Sequence, residues 1–123
     1  MLKRIVGTLA LSLLALAAAP SEAALMDVSG YVCSTTYTKQ NNVAFGQGWV
    51  RVTLYTAPFC GGSFVAQVYV LGPGATFLGF QHTTEERLAL FERAHAAAIA
   101  GKRGTFWTDM PNGGIFHHTY HAN

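Results

Sequence analysis

Residues 49–55 read Trp49-Val50-Arg51-Val52-Thr53-Leu54-Tyr55. Aliphatic side chains occupy every second position, which is the period of a β-strand with one face in a core. Val50, Val52 and Leu54 are expected to point inward, and Trp49, Arg51, Thr53 and Tyr55 outward. No helical spacing fits this run, so the fold is built around a sheet.

Working outward, an earlier strand spans about Val28 to Thr38. It is rich in β-branched and aromatic residues and ends at the Gln40-Asn41-Asn42 and Gly46-Gln47-Gly48 loop. Ala57-Pro58 and Cys60-Gly61-Gly62 mark a turn after the second strand. The third strand, Phe64 to Leu71, is apolar on both sides except at Gln67, and Gly72-Pro73-Gly74 stops it. A single helix follows. Thr83 is the expected N-cap, with Glu86 at capping-box spacing and Glu85 beside it in the first turn. Leu88, Phe91, His95 and Ala98 or Ile99 give its expected apolar stripe. Its alanine-rich second half is slim enough for close packing around an axis, and Gly101-Lys102-Arg103 is its stop. Thr105–Thr108 and Ile115–Tyr120 close the chain as two short strands around the Asp109-Met110-Pro111-Asn112-Gly113-Gly114 turn.

The order is therefore β-β-β-α-β-β, mainly β with one helix. Three strands, a helix and two strands is the order of a small five-stranded OB-type barrel. An antiparallel sheet packed by one helix is the alternative.

The N-terminus carries a different signal. Met1-Leu2-Lys3-Arg4 is basic, Ile5–Ala19 is apolar, and Pro20-Ser21-Glu22-Ala23 supplies a breaker and small residues. This is the three-part pattern of a secretory signal peptide over residues 1–23. The apolar run is shorter than a spanning helix needs. Residues 24–123 then form a single exported domain, periplasmic or secreted. Removing Lys3, Arg4 and Glu22 leaves six basic and five acidic residues, a formal charge of +1. That balance, without a Lys/Arg cluster, excludes the footprint of a nucleic-acid binder. In an oxidising destination, Cys33 and Cys60 are expected to form one disulfide.

The helix leading into Ala100-Gly101-Lys102-Arg103-Gly104-Thr105-Phe106 resembles the helix–Gly–strand segment of secreted B subunits of bacterial AB-type toxins, such as the subtilase-cytotoxin and typhoid-toxin B subunits. The export signal, the domain size and the element order match as well. The resemblance implies an OB fold, a homo-pentamer and binding to cell-surface glycans, often sialylated. The second disulfide usual in that family has no counterpart here.

The residues themselves offer one aromatic face. Trp49, Arg51 and Tyr55 lie outward on the second strand. Gln67 and Tyr69 fall on the corresponding face of the third, and Tyr31, Thr35 and Tyr37 alternate together on the first. Trp49, Arg51, Tyr55, Tyr37 and Tyr69 are the candidate glycan-binding residues. Flat aromatic faces with hydroxyl, amide and guanidinium groups at the rim are what a sugar requires. Trp, Tyr and Arg are equally the residues of a protein interface, which is the plainer reading of such a face. A multivalent ring can use both. The alternative function is a small secreted interaction protein, such as a hydrolase inhibitor or an envelope component.

Other constellations are thinner. His117, His118 and His121 lie near the end of the chain without an acidic or thiol partner. His82 reads as loop surface, and His95 as a core or interface histidine that would make assembly pH-sensitive. The five carboxylates include only Asp109 at an evident loop edge, so no converging acid pair supports a glycosidase. Ser63 lacks a nucleophile-elbow pattern. The reading is a binding protein rather than an enzyme, and no motif asks for a cofactor or a metal.

Overall fold

The computed structural model describes residues 25–110 and 113–122. The signal peptide expected over residues 1–23 lies outside them. The chain forms β1 (Leu25–Asn42), β2 (Gly46–Ala57), β3 (Gly61–Val70), α1 (Thr84–Ala100), β4 (Arg103–Asp109) and β5 (Ile115–Ala122). The strands close into a barrel in the order β1-β2-β3-β5-β4. This is the OB-type arrangement rather than an open sheet packed by a helix.

β1 is the strand that permits closure. Its first part pairs with β4, from Leu25 opposite Asp109 to Tyr31 opposite Arg103. Its second part pairs with β2, from Tyr31 opposite Tyr55 to Asn42 opposite Gly46. Between the two it must coil sharply. Gly30 provides the space, because a Cβ there would lie 2.9 Å from Leu54 Cβ. A bulge at Cys33, between the Val32–Leu54 and Ser34–Thr53 pairs, adds the bend. The other seam is β3 against β5, parallel at Tyr69 and Ile115.

The alternation read in β2 is observed. Val50, Val52 and Leu54 are fully buried, with Val32, Val68, Val70 and Phe106 around them. Trp49, Arg51, Thr53 and Tyr55 are half-buried on the outer side. β1 departs from its expected alternation. The bulge inserts one residue, so Tyr31 faces out beside Tyr55, whereas Thr35 and Tyr37 pair with Val52 and Val50 and turn toward the barrel interior.

α1 begins and ends where its caps dictate. Thr83 Oγ1 accepts the Glu86 N–H at 3.2 Å, and Glu86 Oε1 accepts the Thr83 N–H at 2.9 Å. Gly101 closes the helix at φ 65°. The fully buried face is shifted from the expected stripe, of which Phe91 and Ala98 still pack partly buried against the core. It consists of Arg87, Leu90, Ala94 and Ala97, while Leu88 and Ile99 are 39% and 68% exposed. His95 is exposed, not a core histidine. The helix packs on the barrel core through Leu90, Ala94 and Ala97, and the small side chains of Ala94 and Ala97 allow a close approach.

The Cys33–Cys60 disulfide is present, with Cα atoms 4.6 Å apart. It ties the β1 bulge to the β2–β3 turn, where Phe59 and Cys60 both adopt positive φ. The Phe59 ring rests on Gly101, where a Cβ would lie 2.7 Å from it. Bulge, turn and helix end are thus joined at one corner. Replacing both cysteines by alanine should lower the unfolding free energy by about 3–4 kcal/mol, since the bond closes a loop with a sequence separation of 27. Equilibrium denaturation of the oxidised protein and the double variant measures this directly.

Candidate functional site

The outer face of β2 and β3 carries an aromatic cluster. Arg51 pairs with Tyr69 across the strands, and Thr53 with Gln67. Trp49 is one outward position before Arg51. The Tyr69 hydroxyl donates to Gln67 Oε1 at 2.8 Å, which fixes both side chains. Trp49 and Tyr69 ring centroids are 6.2 Å apart.

Phe45 joins them from the β1–β2 turn. Its ring stacks on Tyr69 at 4.2 Å, with 7° between the planes, and lies 5.0 Å from Trp49. The turn is set by Asn42, whose side-chain oxygen accepts the Ala44 and Phe45 N–H groups at 2.8 and 3.1 Å. Phe77 completes the group, edge-on to Phe45 at 5.4 Å. It is delivered by the loop after β3, which is hydrogen-bonded to the β1–β2 turn: Thr76 N–H to Val43 O at 3.0 Å and Phe77 N–H to Ala44 O at 3.2 Å. The two loops touch closely enough that a Cβ on Gly46 would lie 2.3 Å from Gly72 O. A shallow depression of about 230 Å³ adjoins Tyr69 and Gln67, with Phe64, Val65 and Met110 on its other side.

The five candidate residues therefore divide. Trp49, Arg51 and Tyr69 are brought together. Tyr55 shares their face but lies about 20 Å along β2 from Trp49, in contact with Phe64 at 6.1 Å and opposite Tyr31. Tyr37 is not on this face. It packs on Phe91 of α1 at 6.2 Å and lines a polar pocket at the helix N-terminus. The bulge at Cys33 is the reason.

Phe45 and Phe77 were not among the candidates. Both sit in loops, where no periodicity marks a side chain's direction, and only the contact between the loops places them.

The histidines also differ from expectation. His82 is not loop surface: it is 6% exposed, stacked on Phe116 at 4.8 Å and edge-on to Phe80 at 4.7 Å. Burial pushes its pKa below the ordinary value, and the neighbouring Arg87 and His117 act in the same direction against Glu86. His117 is lowered as well, chiefly by burial. His118 packs on Trp107 at 4.3 Å. Among the described residues no group of three or more His, Cys, Asp or Glu is placed to hold a metal ion. Asp109, expected at a loop edge, is 1% exposed at the end of β4. Among the same residues no helix is long and apolar enough to cross a membrane.

A lowered histidine pKa has a defined sign. The unfolded chain takes up the proton first, so this contribution to stability is intact above the ordinary imidazole value and is lost as pH falls below it toward the folded value. Stability should therefore decline from pH 7 to pH 5, and His82→Phe should remove part of that slope while His117 retains the rest. Denaturation midpoints across this range, measured for both proteins, test it.

No family model, curated protein or solved structure matches the chain.

Proposed function

We propose that the protein is an exported glycan-binding module resembling a toxin B subunit, acting by multivalent attachment of a homo-oligomeric ring. The observation that carries this reading is the Phe45–Trp49–Tyr69 cluster with Arg51 and the Gln67–Tyr69 hydrogen bond at its rim. Aromatic rings offer apolar area to the less polar face of a sugar. The guanidinium and amide beside them address its hydroxyl groups. The depression next to Tyr69 gives room for a ring substituent. Each site of this kind is small, and repetition around a ring raises overall attachment without new contacts. The disulfide suits an oxidising compartment.

A second reading is a secreted interaction protein. It is favoured by the run Phe77-Leu78-Gly79-Phe80, in which Leu78 is 80% exposed and Phe77 and Phe80 are also exposed. Phe59 and Phe64 are exposed on the β2–β3 hairpin. Apolar side chains in this setting serve contact with another protein.

Light scattering on the oxidised domain should give the mass of a ring of about five copies. A glycan array should then show binding that is lost in Trp49→Ala and weakened in Arg51→Ala, with both variants still giving cooperative unfolding. Binding that survives both substitutions places the sugar elsewhere. A monomer without glycan binding removes the avidity mechanism and leaves the interaction-protein reading.

A further inference from the structure

Arg87 is 3% exposed, one turn into α1. A buried guanidinium is stable only when its charge is answered. Here it donates through one terminal nitrogen to His82 O and through the other to Thr84 Oγ1 at 3.2 Å. Both acceptors are neutral. Nε has no partner among the described residues. The acids of the first turn are used elsewhere: Glu86 is held in the capping box, and Glu85 is exposed, two positions away and so on a different helix face.

This guanidinium borders a pocket of about 380 Å³ whose lining, among the described residues, includes Tyr37, Lys39, Gln47, Gly48 and Thr84, and no carboxylate. Gly48 keeps the pocket open. It has φ +71°, and a Cβ there would stand 3.1 Å from both Arg87 Nη2 and the Tyr37 hydroxyl. The two groups thus converge over a position without a side chain. The N-terminus of α1 adds its positive partial charge, and Thr84 is the first residue of the helix.

We propose that this pocket is a binding site for a single oxyanion group, a carboxylate, phosphate or sulfate, held by Arg87 and Lys39 with the Tyr37 hydroxyl. The planar guanidinium suits the paired oxygens of such a group, and the anion supplies the charge that the described residues leave unanswered. The site is separate from the aromatic face, because Tyr37 lies on the interior side of β1 whereas Trp49 and Arg51 point outward from β2.

The test is titration calorimetry and thermal unfolding of the oxidised protein with inorganic phosphate, sulfate and acetate, at ionic strength held constant with chloride. Saturable binding is expected, with the unfolding temperature raised by roughly 5 °C or more at about ten times Kd. Lys39→Ala should weaken phosphate binding about tenfold, and Arg87→Gln should abolish it. Because Arg87 also holds His82 and Thr84, Tyr37→Phe serves as a further variant that leaves the helix cap intact and should weaken binding too. Trp49→Ala should retain phosphate affinity whatever it does to glycan binding. Competition by heparin would identify the source of the oxyanion as an acidic polysaccharide, and phosphate binding without that competition would identify a small free anion. No binding above chloride, or equal affinity in Lys39→Ala and Tyr37→Phe, overturns the proposal.

Discussion

One strand has to belong to both halves of this barrel, and the bend that lets it do so governs much of the structure. β1 leaves β4 at Tyr31 and continues along β2. A straight strand cannot follow both partners. Gly30 gives the space for the coil and the bulge at Cys33 gives the change of direction. The disulfide fixes the bulge to the β2–β3 turn, and Phe59 carries that constraint to the end of α1 at Gly101. The bend also reverses which side chains face inward. Tyr31 stays outside with Tyr55, whereas Tyr37 enters the pocket beneath α1.

The two candidate binding regions share one scaffold through the loops at the β2 start. Gly46 and Gly72 allow their backbones to meet, with Gly72 N–H to Phe45 O at 2.9 Å and Gln47 N–H to Pro73 O at 3.0 Å. On the outer side this contact sets Phe45 against Tyr69. On the inner side it places Gln47 and Gly48 opposite Arg87 and Thr84. A change in the loop contact would therefore be felt by both regions, although their side chains point in opposite directions.

Much of the fold and part of the site were legible in the amino-acid order. The alternation of Val50, Val52 and Leu54, the Thr83–Glu86 cap and the glycine stop at Gly101 are local devices, and each appears where its chemistry places it. The pairing of Arg51 with Tyr69, and the place of Trp49 beside them, followed from strand period and a hairpin. The helix face is legible only in part: Phe91 and Ala98 pack at the margin of the core, whereas the core itself accepts the small side chains Ala94 and Ala97 and leaves the apolar Leu88 and Ile99 exposed.

What the sequence by itself determined was the element order, the inward set of β2 and the helix boundaries, because hydrophobic period and capping act within a few residues. What only the tertiary structure decided was the closure of the barrel, the side to which Tyr37 turns, the arrival of Phe45 and Phe77 at Tyr69, and the burial of His82 and Arg87. Each of these depends on a bulge or on contact between segments distant in sequence, and neither leaves a periodic trace in the chain.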